Sequence, residues 1–169
     1  MRTRGASLIK IILAVSVIMI LLTLNTVAAY DKETDFDKDS GWSGEYAKVR
    51  VGGTTVDKKY YSDCWIHFVT KGTWFISVTQ TKAWLYGYQD PEKTRYEIDS
   101  WSFGKGAVDE VRSRSPPLLK SQTYAIKGVC EGYFKNKILK TTWTRQAERT
   151  LEAADPPFVP AIVFFNVTS

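Results

Sequence analysis

Beyond residue 44, hydrophobic and polar positions alternate along most of the chain with a period of two rather than 3.6. That period sends successive side chains to opposite faces of a strand. The densest stretch, residues 63–88, reads DCWIHFVTKGTWFISVTQTKAWLYGY and is rich in aromatic and β-branched residues that suit a pleated, half-buried surface. Cys64, Ile66 and Phe68 fall on one face there, against Trp65, His67 and Val69 on the other. Lys71-Gly72 predicts a turn, after which Trp74, Ile76 and Val78 share a side. Trp84, Tyr86 and Tyr88 form a further row, opposite Ala83, Leu85 and Gly87. Asp90-Pro91 ends the run, because proline has no N–H to give a ladder.

On either side the pattern continues. Residues 45–51 and 56–61 predict a hairpin about Gly52-Gly53, and residues 95–103, 107–112, 123–130, 133–134, 138–144 and 158–167 predict further strands. Residues 146–154 predict a helix, with Ala147, Leu151 and Ala154 at spacings of four and three, stopped by Asp155-Pro156-Pro157. Roughly seven to nine short strands without intervening helices predict an all-β, antiparallel β-sandwich in one domain, residues 44–169.

The first 29 residues follow a different pattern. Arg2, Arg4 and Lys10 precede an apolar run at 11–24, and Val27-Ala28-Ala29 supplies small residues for a cleavage site. This order predicts a secretory signal peptide cut after Ala29. Residues 11–29 also approach the length that spans a bilayer, so a retained membrane anchor is the rival reading, broken at Asn25-Thr26. Either way the domain is expected to be secreted or extracytoplasmic and membrane-anchored. Residues 30–43 are acidic and aperiodic and predict an exposed spacer. Asp35, Asp37 and Asp39 alternate like a calcium loop. Ser40 and Tyr46 stand where that loop needs glycine and glutamate, so no metal is expected.

Composition changes this picture in two places. The formal charge is +5, and loss of Arg2, Arg4 and Lys10 lowers it to +2, so nucleic acid is not an expected partner. The only two cysteines, Cys64 and Cys130, are expected to form a disulfide in an exported domain. Their separation, with Trp74, resembles the bridged core of an immunoglobulin domain. Position 128, where that family carries a tyrosine, is glycine. The architecture is therefore expected and the family is not.

Candidate chemistry is sparse. His67 is the sole histidine and lacks a recognisable nucleophile motif, so no catalytic residue and no cofactor are assigned. Trp84, Tyr86 and Tyr88, with Trp101 nearby, would make a flat platform for sugar rings if exposed. Large apolar residues are usually buried, so this row is expected to face the core. Residues 105–149 hold ten Lys or Arg against four acids, with Lys135, Lys137 and Lys140 as a basic surface that suits an anionic envelope polymer or membrane surface. These features predict a non-enzymatic extracellular binding protein. A secreted antimicrobial or membrane-active protein is the alternative, and a small exported hydrolase built on His67 is the third reading.

Overall fold

The computed structural model describes residues 29–154. Ten strands fill them: β1 (Ala29–Glu33), β2 (Asp37–Ser40), β3 (Tyr46–Val56), β4 (Tyr60–Tyr61), β5 (Cys64–Lys71), β6 (Ile76–Gln89), β7 (Thr94–Phe103), β8 (Val108–Arg114), β9 (Thr123–Asn136) and β10 (Thr142–Glu152). They form two antiparallel sheets. One runs β1-β3-β5-β8, with β2 and β4 also paired to β3, and the other runs β10-β9-β6-β7. The expected export segment and the final strand at 158–167 lie outside the described residues.

The sheets meet face to face over one apolar core. Ala47, Val49 and Val51 of β3 and Ile66 and Phe68 of β5 pack against Ala83 and Leu85 of β6, Ile126 and Cys130 of β9 and Ala147 of β10. Gly128 lets the sheets approach closely: a Cβ there would sit 2.6 Å from Val51 and 3.0 Å from Ile66. At one end a smaller cluster of Ile76, Val78 and Phe134, with Trp143 against it, supports the loops above.

Three local expectations are corrected by pairing. The stretch expected as a spacer forms β1 and β2 on β3. Its acids are not free: Asp39 Oδ2 accepts the Gln146 N–H at 3.1 Å and Asp37 Oδ2 accepts the Glu148 N–H at 3.0 Å. These carboxylates cover the donors that an edge strand would otherwise present to water or to another chain. The expected helix at 146–154 is instead part of β10, paired with β9 from Thr142↔Lys135 to Glu152↔Ala125. A continuous ladder, with Ala147 fully buried, overrides a weak helical preference. Gly52-Gly53 is not a turn, since β3 runs straight through it. Gly52 lies under the Trp65 ring, where a Cβ would meet the indole at 2.4 Å. The reversal comes later, at Asp57 and Lys58, both with positive φ.

The expected disulfide is also corrected. Cys64 and Cys130 are free, buried thiols. Cys130 Sγ lies 3.9 Å from the Val69 carbonyl across the core. Cys64 is on the same strand as Val69 but five residues away, about 16 Å at ~3.3 Å per residue. A disulfide needs Cα atoms within roughly 7 Å. Trp74, the residue that would have packed on such a bridge, is 84% exposed.

Candidate functional site

Four connections gather at one end of the two sheets: residues 41–45 between β2 and β3, 72–75 between β5 and β6, 104–107 between β7 and β8, and 137–141 between β9 and β10. Their one acid is Glu45, whose buried carboxylate is bonded to Trp143 and Arg145. They carry Trp42, Trp74, Phe75, Ile138 and Leu139, five of the eight large apolar side chains exposed among the described residues. Phe75 is 54% exposed, Ile138 67% and Leu139 71%. Scattered apolar residues are ordinary on a surface, but a cluster on loop tips is not. Lys105, Lys137 and Lys140 lie in the same loops, with Lys71 and Lys135 at the adjoining strand ends.

Each loop is held by specific bonds. Asn136 opens the β9–β10 hairpin as an Asx turn, its Oδ1 accepting the N–H groups of Ile138 and Leu139 at 2.8 and 2.9 Å. The Lys140 N–H returns to the Asn136 carbonyl at 3.0 Å. This geometry turns Ile138 and Leu139 outward and replaces the first part of the strand expected at 138–144, of which residues 142–144 do open β10. The hairpin is tied to the neighbouring loop twice: Lys137 N–H donates to the Phe75 carbonyl at 2.9 Å and Lys137 Nζ to the Trp74 carbonyl at 2.8 Å. The 72–75 loop closes on itself through Thr73 N–H to the Ile76 carbonyl at 2.8 Å. Buried Glu45 accepts from Trp143 Nε1 and Arg145 Nη2, both at 3.2 Å, and its carbonyl accepts the Gly41 N–H, which fixes the loop carrying Trp42. A groove of about 600 Å³ runs beside the loops, lined by Lys71, Thr73, Ile76, Val78, Lys105 and Lys135 among others.

The expected basic residues Lys135, Lys137 and Lys140 therefore come together at this end, joined by Lys71 and Lys105, which alternation alone did not single out. The expected aromatic row is split. Trp84, Tyr86 and Tyr88 are half-buried on the outer face of their sheet, while Ala83, Leu85 and Gly87 are buried. Trp101 pairs with Ala83 and shares its inward face, stacking on Phe68 at 5.8 Å. The rings outside are partly engaged: Arg95 lies over Tyr86 at 4.8 Å, and Tyr88 approaches Tyr124 at 6.4 Å.

His67 lies on the outer face of the other sheet, edge-on to Phe36. Its Nε2 is 2.7 Å from Asp109 Oδ1, and Arg50 Nε donates to its Nδ1 at 3.4 Å. The network thus assigns the ring proton to Nε2 and fills the lone pair on Nδ1 with a donor that cannot be deprotonated. A general base needs that lone pair. The two thiols are no better placed for chemistry. Burial pushes Cys64 and Cys130 each up to about 12, with the neighbouring charge of Asp63 adding to the shift at Cys64 and Glu131 at Cys130. A thiol, not a nucleophilic thiolate, is the resting form. Among the described residues no group of three His, Cys, Asp or Glu is placed to hold a metal ion, and no helix is long and apolar enough to cross a membrane.

No family model matches the chain, and neither a curated protein nor a solved structure matches it significantly. The loop end is therefore read from its own chemistry.

Proposed function

We propose that this chain is an exported, non-enzymatic β-sandwich domain that binds an anionic lipid surface through its loop end. The observation that carries the reading is the joint exposure of Trp74, Phe75, Ile138 and Leu139 on two bonded loops among five lysines, where the one acid of the four loops, Glu45, is buried. Fully burying one large apolar side chain is worth about 1.5–3 kcal/mol. A lysine near an anionic leaflet contributes about 1 kcal/mol. The two contributions are of similar size, so the surface that satisfies this end offers both hydrocarbon and negative charge. An anionic envelope polymer offers charge alone and leaves the apolar tips in water. Trp74 brings an amphipathic ring suited to the headgroup boundary.

The basic-then-apolar pattern of residues 1–29 supports export. Ala29 opens β1 opposite Val56, at the end of the sheets remote from these loops. A retained anchor would thus hold the loop end away from its own bilayer and turn it toward a second surface.

Amide signals of the full chain, recorded with vesicles of phosphatidylcholine and 30% phosphatidylglycerol carrying a spin-labelled lipid, test the reading residue by residue. Broadening at residues 72–75 and 137–141 that is absent from pure phosphatidylcholine is expected. Signals there that stay sharp while the protein is vesicle-bound, or no binding at all, would remove it.

The outer aromatic row favours a second reading, an envelope glycan stacked on Trp84, Tyr86 and Tyr88. It predicts that Trp84→Ala weakens polysaccharide retention while Trp74→Ala does not.

A further inference from the structure

The groove beside the loops has a chemistry of its own. Its walls are apolar at Ile76, Val78 and Ala107, and its rim carries Lys71, Lys105 and Lys135 from three separate elements. None of these three ammonium groups has a carboxylate partner among the described residues. Some cations elsewhere do have carboxylate partners: Lys127 meets Glu148 at 2.8 Å, and Arg145 meets both Asp39 and Glu45. One of the groove's lining residues also has an unused hydroxyl. Thr73 Oγ1 is shut off from solvent yet has no hydrogen-bond partner. A buried hydroxyl left unmade costs about 1–3 kcal/mol, so such an atom marks a place where an acceptor belongs.

We propose that this groove receives a phosphomonoester headgroup of a membrane lipid, held by Lys71, Lys105 and Lys135 with the Thr73 hydroxyl as a further donor. The inference rests on the lipid-surface reading and adds headgroup choice to it. The geometry suits that class for three reasons. With Trp74, Phe75, Ile138 and Leu139 in the acyl boundary, some 5–10 Å deep as for other interfacial apolar segments, the groove behind them stands at headgroup level. A phosphomonoester carries about −1.5 to −2 charge and three acceptor oxygens, matching three ammonium donors better than a phosphodiester with one charge. The lysine stems can lie along Ile76, Val78 and Ala107 while their heads converge on the phosphate. Bulk attraction to negative charge, by contrast, makes no distinction between headgroups at equal surface charge.

The test uses the full chain and two probes. With phosphatidylcholine vesicles carrying phosphatidic acid or phosphatidylglycerol at matched surface potential, the expected result is a roughly tenfold preference for phosphatidic acid. That preference should disappear in Lys71→Gln/Lys105→Gln/Lys135→Gln while binding to phosphatidylglycerol falls only modestly. Equal affinity for the two lipids, or a preference that survives the triple variant, would overturn the proposal. Glycerol 3-phosphate titrated without vesicles separates the two readings. Selective shifts of the three lysine ammonium signals and of Thr73, lost in Thr73→Val only at that residue, support the groove even if the lipid-surface reading fails. Absence of any such shift at millimolar ligand counts against the groove even if vesicles bind.

Discussion

Lys137 donates twice to one loop, from its ammonium to the Trp74 carbonyl at 2.8 Å and from its backbone to the Phe75 carbonyl at 2.9 Å. Two loops from different strand pairs thereby become one platform, and their exposed apolar side chains are carried on a single bonded unit. Lys137→Met keeps the stem and the backbone bond and removes the ammonium. Hydrogen exchange at residues 73–75 should then accelerate severalfold, without a measurable change in the β6–β9 ladder. Lys140→Met, which removes a bond only to the Lys137 carbonyl, should leave those amides unchanged.

The buried Glu45 carboxylate organises the opposite side of the same end. It takes donors from Trp143 and Arg145, so it links the β2–β3 loop of one sheet to β10 of the other. Hydrogen bonds to a charged group contribute about 1.5–3 kcal/mol. Glu45→Ala should lower stability by about that much in urea denaturation, because it leaves Trp143 Nε1 without its acceptor and Arg145 with Asp39 alone. Glu45→Gln, which retains an acceptor for Trp143, should cost less. Equal losses would show that a neutral acceptor contributes nothing and that the charge of Glu45 carries the interaction.

Alkaline pH should weaken the fold. Burial raises the thiols of Cys64 and Cys130 to about 12, and it raises Tyr61 as well. Each group holds its proton more tightly when folded than when unfolded, so its contribution is complete below the unfolded value and is lost as pH climbs toward the folded one. Urea midpoints should be flat from pH 7 to 8 and fall steadily from about pH 9 upward. In the same samples neither thiol should react with a maleimide at pH 7 until denaturant is added, with or without prior reduction. Protection that needs reduction to release would restore the disulfide that the 3.9 Å contact of Cys130 with Val69 rules against.

A single residue decides which way β6, one of the two longest strands, faces. β6 shifts register against β9 between Val78 and Gln80, leaving Thr79 as the extra residue. Before it Ile76 and Val78 are buried; after it Thr81, Ala83 and Leu85 are. Deleting Thr79 would remove the bulge and leave Ile76, Val78, Thr81, Ala83 and Leu85 at alternate positions on the buried face, with Trp84 and Tyr86 still outside. The deletion should therefore keep cooperative thermal unfolding, and loss of cooperativity would show that the bulge does more than set the faces. Thr79→Ala, which loses only the bond to the Tyr133 carbonyl at 3.1 Å, should cost about 1 kcal/mol.

The amino-acid sequence on its own determined the class of architecture. Period-two alternation around residues 63–69 and 123–130 is a local property, and it specifies strands whatever they pair with. It also identified Lys135, Lys137 and Lys140, because charge is carried by residue type. What it could not determine was every feature that depends on a neighbour distant in the chain. Gly52-Gly53 read as a turn until Trp65 was laid across it, and residues 146–154 read as helix until β9 offered a ladder. Cys64 and Cys130 both belong on apolar faces, as alternation indicates, but their heights along the sheets depend on strand register, and register separates them. Trp84, Tyr86 and Tyr88 were assigned inward by their bulk, and the bulge at Thr79 turned them outward. The loop end was legible only in fragments: Asn136 is a turn signal, and the lysines are plain in the sequence. That Trp74 and Phe75 stand beside Ile138 and Leu139 follows from β6 pairing with β9, which brings residues some sixty apart in the chain to one edge. Local alternation is fixed by the covalent chain, whereas face, register and the meeting of loops are fixed by long-range packing.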